Sequence, residues 1–185
     1  MEIYRCPWTG NDSLMQKYHD EEWGIPVHDD QKWFEFIVLD AFQAGLSWKT
    51  ILHRRENFRK AFDNFDVEKV SNYDESKIQE LMQDAGIIRN QAKIRCTVNN
   101  ARAFIKIQDE FGSFDAYIWQ FTEHKTIDHQ LKIMDDMPAR TEISDKMSKD
   151  LMKRGFRFVG SVICYSFMQA AGMVNDHLID CHCRT

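Results

Sequence analysis

Apolar residues recur along this chain at helical rather than strand spacing. Between Trp33 and Ala44 they fall at 34, 37, 38, 41 and 42, and again at 33, 36 and 39, so nearly every side of the segment is apolar. A helix of that kind belongs in the interior. Lys49 to Phe62 is amphipathic, with Ile51, Leu52, Phe58 and Phe62 set against a charged stretch from His53 to Glu56. Asp74 is placed to cap a helix running to Ala85, and Gly86 is placed to end it. Gln91 to Glu110 continues the helical pattern, with Gly112 just beyond. Lys146–Lys153 and Ser161–Ala171 form a closing pair around Gly155 and Gly160. No linker, repeat or low-complexity stretch separates these segments. The pattern predicts a single all-α domain over 1–185, with room for two lobes.

Composition agrees with a packed domain: at 185 residues, 43% hydrophobic and 12% aromatic, the chain can bury one sizeable core. Three prolines and eight glycines are too few for a protein built of many short strands and tight turns. The net charge of −5 places any nucleic-acid contact on a local basic patch rather than on the whole surface. No apolar run approaches the roughly 18 residues of a membrane helix, and the N-terminal residues lack the apolar core of a signal peptide. A cytoplasmic location, without membrane contact, is expected. There the five cysteines stand reduced, as thiols or metal ligands rather than disulfides.

Metal-ligand residue types crowd the two ends: Cys6 and His19 near the start, and His177, Cys181, His182 and Cys183 near the finish. His177 and Cys181 are spaced i, i+4, on one face of a helical turn. Two cysteines with two histidines would make a closed tetrahedral zinc site of the structural kind. A clamp across so long a loop removes much entropy from the unfolded chain. Spacing alone leaves open the plainer reading, unrelated polar residues near the termini. Cys96 and Cys164, inside apolar helical patterns, read as buried inert thiols.

Asp40 interrupts the most apolar stretch of the protein. Burying a lone carboxylate is costly, so the residue either ties down neighbouring backbone N–H groups or faces a ligand. Trp8, Tyr18, Trp23 and Trp48 read singly as core residues, but with an acid they could box a flat cationic ligand such as a flipped, damaged base. Lys146, Lys149, Lys153, Arg154 and Arg157 gather around the last turn. Residues 153–161 have the look of a helix–hairpin–helix, spanning about 146–171 with its helices, in which Phe156, Phe158 and Val159 pack the hairpin. The free N–H groups of the second helix would there meet a phosphate. An ordinary turn with a solvated basic end is the competing reading.

Several longer motifs then coincide in order. They are Tyr18-His19-Asp20-Glu21-Glu22-Trp23-Gly24-Ile25-Pro26, Gln43-Ala44-Gly45-Leu46-Ser47-Trp48, Asp84-Ala85-Gly86-Ile87-Ile88-Arg89, Arg154 to Gly160, Phe167-Met168-Gln169-Ala170 and Val174-Asn175-Asp176-His177. Across almost its whole length the chain resembles the DNA-3-methyladenine glycosylase I family of the helix–hairpin–helix glycosylases. The resemblance implies one structural zinc ion per chain on Cys6, His19, His177 and Cys181. It implies a base pocket at Tyr18 and Trp48, lined further by Trp8, Trp23 and Ser166. Gly45 and Leu46 fall where the family presses a loop into the gap left by the flipped nucleotide, and Arg154, Gly155 and Gly160 fall on its DNA-contacting hairpin. Two positions depart from the family pattern: its pocket glutamate is Asp40 here, and a second pocket tyrosine is Met15.

The expected activity is hydrolysis of the N-glycosidic bond of 3-methyladenine in alkylated double-stranded DNA by a monomer. Asp40 would serve as the catalytic carboxylate. No lysine has a motif-based claim to a Schiff base, so the free base would leave without strand cleavage. Two other classes compete: a non-catalytic reader of alkylated DNA, if the shorter Asp40 has removed turnover, and a zinc hydrolase using His182 or Cys183.

Overall fold

The segment that is apolar on every side becomes α2 (Asp30–Gln43) in a computed structural model that describes residues 3–184. Asp29 caps it by accepting from the Lys32 backbone N–H, and Trp33 through Phe42 are all buried. Around α2 pack α7 (Gln91–Phe111), α8 (Phe114–Ile118), α10 (Ser161–Ala170) and α3 (Trp48–Leu52). The core these elements share is contiguous, running from Cys6 to Cys181. It is built largely of aromatic pairs such as Phe104–Phe114, stacked at 4.1 Å, and Phe42–Phe58 at 4.8 Å.

Side-chain caps mark most helix starts. Asp74 accepts from Lys77 N at the start of α6 (Glu75–Gln83), as the sequence predicts. Thr141 and Ser144 form a reciprocal capping box on α9 (Glu142–Lys153). Gly112 ends α7 at φ +86°.

The expected helix over Lys49 to Phe62 is two, α3 and α4 (Arg55–Ala61), with a turn at His53–Arg54. There the Arg54 guanidinium donates to the carbonyls of Ala85 and Gly86, while Arg55 is drawn to Glu22 and Glu35. Long-range pairs of that sort leave no trace in periodicity. Short helices α1 (Ser13–Glu21) and α5 (Val67–Ser71) complete the set of ten among the described residues.

The fold is mostly rather than wholly helical. Ile127–Asp128 (β1) pairs in parallel with Val174–Asn175 (β2), in register 127↔174 and 128↔175. Two-residue strands are too short to show alternation, and this pair fastens the segment between α8 and α9 to the C-terminal end.

Candidate functional site

Where α2 approaches α1, α3 and α10, the core leaves a cavity of about 180 Å³, somewhat larger than the ~150 Å³ void that accepts a benzene ring. Trp8, Tyr18, Trp23 and Trp48 supply its aromatic walls, and Asp40, Gln43, Ser166 and Gln169 its polar groups. Every pocket residue expected from the sequence therefore lines one space. The indole of Trp8 meets Trp23 edge-on at 5.0 Å and Tyr18 at 6.3 Å, and Tyr18 leans against Trp48 at 5.1 Å. Met15 is buried in the core and does not reach the cavity.

Asp40 is 2% exposed and its Oδ2 has no hydrogen-bond partner among the described residues. It does not tie down neighbouring backbone, so the structural reading of this residue fails. Burial pushes its carboxyl well above the usual carboxylate range. Burial, and then the neighbouring Asp40, pushes the Tyr18 phenol up as well. Three further buried polar atoms lack partners in the same cavity: Nε1 of Trp8, Nε1 of Trp48 and Oε1 of Gln43. Unpartnered buried polar atoms are uncommon in folded proteins. Two donors and two acceptors converging on one void describe a place for a polar, aromatic guest.

Gln43, Gln169, Met134 and Met137 belong to this wall and were not singled out as pocket residues in the sequence. Gln43 and Gln169 lie within motifs and could have been found there. Met134 and Met137 come from the segment between β1 and α9, which no sequence pattern connects to the pocket.

Below the cavity, the two ends of the chain meet. Cys6, His19, His177 and Cys181 are all buried, with their ligand atoms within 4.8 Å of one another. Cys181 Sγ lies 3.4 Å from both His19 Nε2 and His177 Nδ1, and Cys6 Sγ lies 3.8 Å from His177 Nδ1. Tetrahedral zinc, with Zn–S of about 2.3 Å and Zn–N of about 2.0–2.1 Å, sets its sulfur and nitrogen ligands roughly 3.6 Å apart. The four residues present fit that ion.

Outer hydrogen bonds decide which nitrogens are free. His19 Nδ1 donates to the Asp20 carboxylate at 2.8 Å, and His177 Nε2 donates to the Trp23 carbonyl at 3.0 Å. Each leaves the inner nitrogen of its ring as a lone pair, which is how outer partners orient metal-binding histidines. Burial lowers the basicity of both rings, that of His177 to about 4. His182 and Cys183 lie on the outer side, Cys183 Sγ being 3.6 Å from Asp20 Oδ1.

On the surface beside the cavity, α2 gives way to Ala44–Ser47. Gly45 takes φ +80°, which glycine adopts without strain, and Leu46 is 40% exposed. Lys93 of α7 donates to the carbonyls of Phe42, at 2.8 Å, and Ala44, at 2.6 Å. It thereby satisfies the C-terminal end of α2 and fixes the start of this loop.

The turn from α9 to α10 holds Gly155 at φ +99°, and nothing lies within 4 Å of where a side chain at Gly155 or Gly160 would begin. Side chains of α7 buttress it: Asn99 donates to the Gly155 carbonyl, and Asn100 bonds both backbone groups of Arg157. Gly160 provides no side-chain cap, so the first N–H groups of α10 have no partner from the residue before them. Phe156 and Val159 pack inward as expected. Phe158 does not: it takes φ +55° and is 40% exposed, because a left-handed residue turns its side chain out of the hairpin. Arg154 is engaged elsewhere, bonded to Glu110 and Asp150 and lying over the rings of Phe111 and Tyr117 at 4.9 Å.

Comparison with known proteins places this geometry. The sequence profile described as methyladenine glycosylase matches residues 8–185. The chain is 47% identical to DNA-3-methyladenine glycosylase 1 of Escherichia coli over 179 residues, covering 97% of this chain and 96% of that protein. It is 45% identical to the DNA-3-methyladenine glycosylase of Haemophilus influenzae over 181 residues, covering 98% of each. A crystal structure of a 3-methyladenine DNA glycosylase I superposes with a TM-score of 0.96 at 44% identity, covering 98% of this chain and all of that one. The Staphylococcus aureus 3-methyladenine DNA glycosylase I, solved for its recognition of 3-methyladenine, superposes with a TM-score of 0.95 at 34% identity, covering 98% and 96%. The chain belongs to the methyladenine glycosylase family.

Proposed function

We propose that this protein hydrolyses the N-glycosidic bond of 3-methyladenine in alkylated double-stranded DNA and releases the free base without cutting the strand. The observation that carries the reading is the cavity between Trp8, Tyr18 and Trp48, in which Asp40 and three other polar atoms have no partner. An alkylated adenine is flat, polar at its edge and cationic while attached to the sugar, so it can stack on the rings and answer those atoms. The positive charge already makes the base a good leaving group, and strong acid catalysis is unnecessary. Asp40, only 2% exposed, then balances the cationic ring or the sugar as the bond breaks and water adds to the sugar carbon, in a buried setting where such an interaction is strong.

For the base to reach that cavity it must leave the duplex. Leu46, exposed on the Gly45 loop beside the cavity, is placed to fill the gap. The turn 154–160 acts as a helix–hairpin–helix, offering the free N–H groups at the start of α10 to a phosphate. Arg157 and Lys153, both exposed, supply the positive charge near it. Among the described residues no helix is long and apolar enough to cross a membrane, and action on DNA in the cytoplasm fits that.

Cys6, His19, His177 and Cys181 would hold one zinc ion. With four protein ligands the ion has no open position for a hydrolytic water, so its contribution is structural: it joins the two ends of the chain beneath the pocket. The activity is tested by incubating the protein with methylated duplex DNA and separating the released bases by chromatography. Appearance of free 3-methyladenine with intact strands is expected. Tight binding to the alkylated duplex with no base released would replace this reading with that of a damage reader.

A further inference from the structure

We propose that Gln169 is a specificity-determining residue of the base cavity and that Asp176, which never touches the base, sets its orientation; the inference rests on the glycosylase reading above. A glutamine amide can present either its carbonyl or its NH2 group to a ligand. Here the choice is made chiefly by Asp176, which does not line the cavity. Gln169 Nε2 donates to Asp176 Oδ2 at 2.8 Å and contacts Met137 Sδ at 3.2 Å, which occupies both of its hydrogens. A carboxylate facing this amide can only accept, so the opposite orientation would set two acceptors against each other.

Asp176 is itself 1% exposed and held from two further sides, by Tyr165 Oη at 2.5 Å and His129 Nδ1 at 2.6 Å. What remains for the cavity, which Gln169 lines, is its carbonyl oxygen. Among the described residues no hydrogen bond uses that atom. An acceptor fixed in a buried wall favours a purine that donates there, as the exocyclic amino group of adenine does. It opposes one that presents a carbonyl at the same place, as the 6-oxo group of guanine does. Sites built around a buried hydrogen bond discriminate far more strongly than apolar pockets do.

The test is the ratio of 3-methyladenine to 3-methylguanine released from one preparation of methylated DNA. Gln169→Met keeps the side-chain volume and removes the acceptor. Its ratio should fall at least about tenfold, mainly through slower 3-methyladenine release. Asp176→Asn frees the amide to turn and should lower the ratio in the same direction. Tyr165→Phe leaves the amide bond to Asp176 intact and should keep the ratio while lowering the melting temperature. If Gln169→Met leaves the ratio unchanged in active protein, the inference is wrong, whether or not Asp176→Asn folds. A wild-type protein that releases neither base overturns the glycosylase reading, and this inference with it.

Discussion

Two clusters of polar side chains are buried in this protein a short distance apart, and they differ in how their hydrogen bonds close. In the terminal cluster each histidine has its outer nitrogen bonded, to Asp20 or to the Trp23 carbonyl, and its inner nitrogen turned toward Cys181. In the cavity, by contrast, Asp40, Gln43, Trp8 and Trp48 each leave a buried atom without a partner among the described residues. An unmade buried hydrogen bond costs about 1–3 kcal/mol, and more where the group is charged. The first arrangement suits a guest that stays through the life of the fold. The second suits one that arrives, is held and leaves, since its loose ends are satisfied only while it is present. Stability should therefore depend on the first cluster and activity on the second.

The largest effect expected on that view is on stability. Replacing Cys181 with Ala, or chelating the proposed zinc, should undo a link between residues far apart in sequence. By analogy with removal of a native disulfide, about 2–5 kcal/mol should be lost. At roughly 2–4 °C per kcal/mol for a chain of this size, the melting temperature should fall on the order of 10 °C. Metal analysis of the purified protein should find one zinc per chain. Fully active, fully stable protein that holds no metal would sink the proposal.

Asp40→Asn should separate the two clusters most sharply. Removing a charge placed for the reacting centre costs on the order of 10²–10³ in rate by the precedent of other polar stabilisers. Stability should move the opposite way. Because burial raises the folded-state pKa of Asp40, the folded protein binds its proton more tightly than the unfolded chain does. That contribution is fully present below the ordinary aspartate pKa and is lost as pH rises toward the raised value. At neutral pH the wild type bears this cost and the Asn variant does not. Asp40→Asn should thus melt a few degrees higher at pH 7, with the gap closing at low pH. A variant that loses stability at pH 7 would show that Asp40 has a structural partner after all.

Trp48→Ala should come next. Stacking of a base on an aromatic ring contributes about 1–3 kcal/mol, so binding of free 3-methyladenine, followed by calorimetry, should weaken roughly 10–100-fold. Trp48 is only partly buried against the core, and the melting temperature should change little. A loss of stability as large as that of Cys181→Ala would erase the contrast between the clusters.

These two regions were also legible in the sequence to different degrees. Helical spacing reported α2 and its burial directly, because a helix apolar on all sides has few places to go. Asp40 stood out there as a charge in the wrong company. The metal-ligand residues were visible as residue types, but spacing could not bring position 6 to position 177. That pairing depends on the whole fold between them, and only the family motifs indicated it. Met134, Met137 and the Asp176–Gln169 bond escaped altogether. Met134, Met137 and Asp176 arrive from segments outside the α-helices, joined to the core by a strand pair two residues long, and only Gln169 sits on an α-helix, α10. The division of Lys49–Phe62 into two helices escaped for a related reason: the turn answers partners more than twenty residues away, Ala85 and Glu22 among them.

The smallest expected effect concerns the hairpin, where sequence and structure point to different arginines. Arg154 falls on the segment expected from the sequence to contact DNA, yet its guanidinium is shared between Glu110 and Asp150 and lies over Phe111 and Tyr117. Arg157 lies three residues further on, exposed, its backbone held by Asn100. A side chain already paired with two carboxylates has little net charge to offer a phosphate. Arg157→Ala should lower affinity for duplex DNA regardless of sequence and reduce the dependence of log K on log salt by about one unit. Arg154→Ala should leave that slope unchanged and cost at most about 1 kcal/mol of stability, as partly exposed ion pairs do. Binding isotherms at several salt concentrations distinguish the two. If Arg154→Ala shifts the slope instead, its pairs with Glu110 and Asp150 must open when DNA binds.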